Sequence, residues 1–187
     1  VFASKLFADT EYYDLTNQYN GSVTLLKGST SARTLNSVAN TYRDVSVTVR
    51  DQESGTFKTE FHFTFTNGKK FQIRLDNEAG YYRVQNMGGS SMIVTGWTKV
   101  HTLTDAEIAQ LKSESGLNYR VSISGTNAIV YLGGVEVGRL NLSAGISTET
   151  AQISVVLYGN NGVENIQIPY TLSSGPATAT IQTVAQN

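Results

Sequence analysis

Apolar side chains recur at every second position along most of this sequence. Val45, Val47 and Val49 alternate with Ser46, Thr48 and Arg50. Phe57, Phe61, Phe63 and Phe65 share one parity, while Glu60, His62 and Thr64 hold the other. Phe71, Ile73 and Leu75 alternate with Gln72, Arg74 and Asp76, and Tyr119, Val121 and Ile123 with Arg120, Ser122 and Ser124. The pattern continues through Ile153, Val155 and Leu157, and again through Ile166, Ile168, Tyr170 and Leu172. Successive side chains of an extended strand point to opposite faces, so each run reads as a strand with one apolar and one wet face. Such strands belong to antiparallel sheets. An amphipathic sheet has to bury its apolar face against another layer. The fold class expected is therefore all-β, a two-sheet antiparallel β-sandwich of the jelly-roll kind.

Turn residues punctuate the strands at sandwich spacing. Asn67-Gly68 and Gly133-Gly134 read as two-residue hairpins, and Asn20-Gly21, Ser54-Gly55, Ser124-Gly125 and Asn161-Gly162 as further turns. One segment departs from the period. Thr104 and Glu107 fit a capping box, Ile108 and Leu111 make a short apolar stripe, and Gly116 fits a stop. This predicts one short helix near 105–115, lying against the sandwich edge. Residues 1–172 are expected to form the sandwich. Residues 173–187, which open Ser-Ser-Gly-Pro, read either as a linker or as a terminal edge strand.

Composition removes several functions. Fourteen basic against fifteen acidic residues leave a net charge of −1, and a nucleic-acid partner needs a basic face. The absence of cysteine excludes disulfides, thiol nucleophiles and thiolate zinc sites. No apolar run is long enough to span a membrane as a helix. No G-x-S-x-G or Walker-type phosphate loop occurs. The chain starts at Val1 with no signal peptide in view, and is expected to be a monomeric piece of a larger multidomain protein. Its richness in Thr, Asn and Tyr without Cys matches extracellular or cell-surface bacterial proteins.

The stretch from Tyr119 to Leu142, YRVSISGTNAIVYLGGVEVGRLNL, is similar to the paired strands of concanavalin A-like lectins and glucanases, a superfamily that includes laminin-G-like modules and galectins. The segment AQISVVLYGNNGVENIQIPYTL resembles the closing strands of the same sandwiches. The resemblance implies a jelly roll and a carbohydrate ligand. Its sharper sub-patterns are not met. His62, Arg74, Asn86 and Trp97 occur in the galectin order without the flanking residues, and no Glu follows Trp97 at the galectin spacing. The E-x-D-x-x-E strand of family 16 glucanases is absent.

A sugar-binding surface needs an aromatic platform beside planar polar side chains. Glu60, His62, Arg74 and Asp76 would share one wet strand face if the hairpin at Asn67-Gly68 pairs in simple register. The segment carrying Tyr81, Arg83, Gln85 and Asn86 extends that face. Trp97, the sole Trp, reads either as a sandwich-edge filler or as the platform. Cross-strand ion pairing on a solvated face is the plainer account of the four charged residues. Calcium is a candidate ligand, with Asp9, Asp14 and Asp76 as oxygen donors. The function expected from these residues is a non-catalytic glycan-binding module, not an enzyme. The alternative is a protein-binding adhesin or structural domain, whose partner is a host or neighbouring surface protein. A glycoside hydrolase with Glu60 and Asp76 as its carboxyl pair ranks last.

Overall fold

The computed structural model describes residues 44–52 and 54–145 throughout, and beyond them the backbone of several strands together with the side chains of Val155 and Val156. Among the described residues the order is β1 (Glu11–Tyr13), β2 (Asn20–Leu25), β3 (Ala32–Ser37), β4 (Asp44–Val49), β5 (Lys58–Phe65), β6 (Lys70–Asp76), β7 (Arg83–Asn86) and β8 (Thr98–Thr102). Next come α1 (Asp105–Leu111), β9 (Leu117–Ser124), β10 (Asn127–Leu132), β11 (Val135–Asn141), β12 (Thr150–Tyr158), β13 (Ile166–Ser173) and β14 (Gln182–Thr183). They form two layers. The larger sheet runs β14-β1-β3-β12-β5-β6-β7-β8, and the smaller runs β11-β10-β9-β4-β13-β2. The named strand pairs are antiparallel except β1 and β3, which run parallel. At the edge of the larger sheet β14 pairs with β1, so segments from the two ends of the chain meet.

The alternating residues place the core where their parity requires. Val45, Val47 and Val49 of β4 and Tyr119, Val121 and Ile123 of β9 face Phe61, Phe63 and Phe65 of β5 and Phe71, Ile73 and Leu75 of β6, all buried. Phe61 stacks on Tyr119 with ring centroids 4.4 Å apart, joining the two layers at the centre. The opposite face of β5, β6 and β7 therefore points out of the sandwich.

The hairpins divide. Leu132 pairs with Val135, and Gly133 and Gly134 both adopt positive φ, as the expected two-residue turn requires. The turn at Asn67-Gly68 is longer than expected. Phe65 donates to Lys69 and accepts from Gly68, so Thr66, Asn67 and Gly68 make a three-residue connection with Gly68 at φ 81°. The extra residue matters. A two-residue loop would set Glu60 opposite Leu75, whereas this one sets Glu60 opposite Arg74 and His62 opposite Gln72.

The helix ends earlier than the sequence suggests. Its capping box is present: the Glu107 amide donates to the Thr104 hydroxyl at 3.2 Å, and the Thr104 amide to the Glu107 carboxylate at 2.8 Å. Leu111 is buried, and its carbonyl accepts from the Asp51 amide. The helix stops there. Gly116, at φ 74°, instead admits the chain to β9, where an added Cβ would lie 2.6 Å from the Val49 carbonyl oxygen. Thr104→Ala removes the cap and is expected to lower stability by about 1 kcal/mol in a urea titration.

Candidate functional site

The outer face of β5, β6, β7 and β8 carries one continuous polar row. Pairing sets Glu60 opposite Arg74, Arg74 opposite Gln85, and Gln85 opposite Lys99. A parallel row sets Lys58 opposite Asp76 and Asp76 opposite Arg83. On the far side of Glu60 stands Val156 of β12, which is buried.

Glu60 lies at the floor of this face, only 2% exposed. Arg74 Nε donates to its Oε2 at 2.7 Å, and His62 Nε2 meets its Oε1 at 2.9 Å. Burial alone would raise the carboxyl pKa. The hydrogen bond and charge of His62, with those of Arg74, outweigh it and hold the group below the ordinary carboxylate value. Glu60 is thus a buried carboxylate kept ionised. A carboxyl depressed in the fold stabilises it above the unfolded value and loses that contribution as the pH falls. The wild type is therefore expected to lose stability as the pH drops below 4.5, the group's ordinary value. Glu60→Gln should lose less over the same window, and Tm against pH reads the difference.

Asp76 is the second buried carboxylate, at 0% exposure. Its Oδ1 accepts from Arg83 Nε and from the Glu78 amide, and its Oδ2 accepts from Gln85 Nε2. Both oxygens are engaged, so Asp76 pins β7 and the chain after β6. Three donors hold it, against two on Glu60, and they leave it a poor donor to calcium. Asp9 and Asp14 lie outside the described residues. Among the described residues no three His, Asp or Glu side chains converge as a metal site would need.

The sequence offers Glu78 only as one carboxylate of the acidic run from Asp76, a calcium candidate, and not as part of the polar face. Glu78 lies two residues beyond Asp76 on the same parity, past the end of β6. Its carboxylate pairs with Lys58 and accepts from Arg74 Nη1 at 3.4 Å. At 35% exposure it reaches solvent, which Glu60 and Asp76 do not. Arg74 thereby joins two carboxyl groups, Glu60 below and Glu78 at the rim. The Asp-Asn-Glu run carried the signal, because the strand parity continues into it.

Aromatic groups flank the row. Trp97 is 55% exposed, and the Arg74 guanidinium lies 5.3 Å from its ring centroid. The edge-filler account of Trp97 is thereby set aside. Tyr81, just before β7, is exposed and has the Lys99 ammonium 5.5 Å from its ring centroid. Its neighbour Tyr82 packs against the core and donates to Asp51 at 2.5 Å. Asn86 does not join the open face. It pairs with Ile73 on the core parity and is fully buried. Its Nδ2 donates to the carbonyls of Val94 and Gly96, and so it secures the loop that presents Trp97.

No protein-family model and no curated protein sequence matches the chain. Solved structures do match its fold. A family 16 endo-glucanase from Bacteroides ovatus, in complex with G4G3G-2F-DNP, aligns at TM-score 0.53 and 9% identity, over 87% of this chain and 80% of that one. A second Bacteroides ovatus family 16 structure, from a mixed-linkage glucan system and in complex with a G4G4G3G product, aligns at 0.51 and 8% over 81% and 77%. The Bacillus licheniformis β-glucanase aligns at 0.50 and 12% over 85% and 77%. These matches correct the expectation of a non-catalytic module that is not an enzyme, and with it the adhesin alternative. The three structures named above are glucanase or family 16 structures, and what they share with this chain is the fold. No helix among the described residues is long and apolar enough to cross a membrane. At such identities the likeness establishes architecture, and on that ground this chain has the jelly-roll sandwich fold of the concanavalin A-like lectins and glucanases.

Proposed function

We propose that this chain is a glycoside hydrolase that takes a polysaccharide across the outer face of β5 to β8. The observation that carries the reading is Glu60, a buried carboxylate held ionised on the open face of a sandwich shared with glucanases. Glycoside hydrolysis needs an ionised carboxylate and a second carboxyl group about 5–9.5 Å away, as nucleophile and acid or as base and acid. Glu60 and Glu78 meet the same guanidinium, at 2.7 and 3.4 Å. Glu60 supplies the negative charge that an oxocarbenium-like transition state requires. Glu78 reaches solvent and supplies the carboxyl that exchanges a proton with the leaving oxygen or a water. Trp97 offers the apolar C–H face of a sugar ring a stacking surface.

The chain has no E-x-D-x-x-E run, so its carboxyl pair is gathered from β5 and the end of β6 rather than from one strand. A secreted or cell-surface location, where polysaccharide is met, belongs to the same proposal. The test is release of reducing ends from a panel of polysaccharides that includes laminarin and mixed-linkage β-glucan. Turnover by the wild type, lowered about a hundredfold or more in Glu78→Gln, is the expected result. A folded protein that releases no reducing ends from any polymer overturns the proposal.

A further inference from the structure

We infer that the polymer this face takes is anionic, carrying carboxylate or sulfate groups, rather than a neutral glucan. The inference rests on reading the face as the substrate site and adds the class of substrate. Five cations share the face: Lys58, Lys70, Arg74, Arg83 and Lys99. Three carboxylates stand against them: Glu60, Asp76 and Glu78. Each carboxylate already has a cationic partner. Glu60 is met by Arg74, Asp76 by Arg83, and Glu78 by Lys58 and Arg74. No described carboxylate pairs with Lys70 or Lys99. Among the described residues the face therefore holds more cations than carboxylates, in a chain whose overall charge is −1.

The position of the two lysines sharpens the argument. Lys99 lies in the same cross-strand row as Glu60, two strands beyond Arg74, with Tyr81 beside it. Lys70 opens β6, opposite Thr64, at the other end of the face. A bound chain crossing the floor at Glu60 along this row would meet the Lys99 ammonium, which no described carboxylate pairs with. A neutral glucan gains little from these charges and leaves them solvated. A uronate or a sulfated sugar presents a C–H face to Trp97 and an anion to the lysines. A positive face around a cleft also raises the local concentration and on-rate of a polyanion.

Trp97 is the only Trp in the chain, so its fluorescence reports on this face alone. The experiment titrates the protein with polygalacturonate, a sulfated galactan, laminarin and mixed-linkage β-glucan, at about 20 mM and about 500 mM salt, across which charge screening shortens several-fold. One or both polyanions are expected to bind more tightly than either neutral polymer, and at least tenfold more weakly at the higher salt. The two polyanions distinguish carboxylate from sulfate as the group recognised. Lys70→Gln and Lys99→Gln should each weaken the polyanion about two- to fivefold, as the loss of one exposed ion pair does, and weaken the neutral polymers by less. Equal affinity for neutral and anionic polymers, or affinity indifferent to salt, overturns the inference. If Glu60→Gln abolishes turnover of a neutral glucan while binding ignores salt, the hydrolase reading stands and this inference falls. Salt-sensitive polyanion binding with no turnover gives the reverse.

Discussion

Replacing Arg74 by methionine is expected to cost roughly 3–5 kcal/mol of folding stability, far more than loss of a surface ion pair. The reason is Glu60. Its carboxylate is almost wholly removed from water, and Arg74 Nε provides the shorter of its two hydrogen bonds, at 2.7 Å. Methionine fills a similar volume but leaves a buried charge with His62 as its remaining named partner. Burial then acts with less opposition, and His62 alone of these two partners is left to hold the charge. Urea denaturation measures the loss. The double variant Arg74→Met with Glu60→Leu should recover most of it, because the pair is then removed as a unit. A single variant within about 0.5 kcal/mol of wild type, the range of ordinary surface changes, contradicts this account of Glu60.

The second large effect is expected at Gly88. A Cβ there would stand 2.6 Å from the Thr95 carbonyl oxygen, 2.7 Å from the Trp97 amide nitrogen and 2.8 Å from Trp97 Cδ1. Two of those three atoms are backbone, so no side-chain rotation relieves the contact. Gly88→Ala should push the 94–97 segment off the Asn86 amide, to which the Val94 and Gly96 carbonyls are bonded. The expected cost is about 1–3 kcal/mol. It should come with a shifted Trp97 emission spectrum and weaker polysaccharide turnover. Gly89→Ala is the control, because its Cβ meets only Met92 side-chain atoms, the nearest at 3.4 Å. Identical Trp97 spectra in wild type and Gly88→Ala would show that the loop does not depend on this close approach.

The strands and their faces were legible because the apolar side chains of β4, β5, β6 and β9 are buried on one parity. The run from Lys70 to Asp76 reads off the sequence as it stands in the fold, with Phe71, Ile73 and Leu75 in the core. Three features were not legible, each for a physical reason. Parity cannot tell a wet face from a polar face that is buried. Glu60 and Asp76 occupy outward positions, yet long neighbours such as Arg74 and Arg83 cover them. Loop length cannot be read from an Asn-Gly pair alone, since that pair serves both a two-residue turn and the end of a three-residue one. The difference of one residue decides which side chain faces Glu60. Parity also cannot say what a polar side chain at an inward position does. Asn86 has the parity of Val84, so it points inward, and there it holds the Trp97 loop.

The candidate site was half legible. Glu60, His62, Arg74, Arg83 and Gln85 converge as the alternation predicted, and Trp97 stands beside them. Glu78 was legible only as an acidic neighbour of Asp76, because it follows the last paired residue of β6, where a strand pattern is normally taken to end. The catalytic expectation failed at a different level. Strand patterns and turns specify the sandwich, and lectins and glucanases share it, so the pattern itself carries no information on whether a bond is broken.

The most direct test compares Glu60→Gln with the wild type on whichever polysaccharide the wild type degrades, with Tm recorded for both. Glu60→Gln keeps the shape of the side chain and a hydrogen-bond acceptor for Arg74, and removes the charge. The expected result is turnover lowered about a hundredfold or more, the range of a lost catalytic carboxyl, in a protein that still melts cooperatively. A folded Glu60→Gln protein with wild-type turnover would place the chemistry elsewhere and contradict the account.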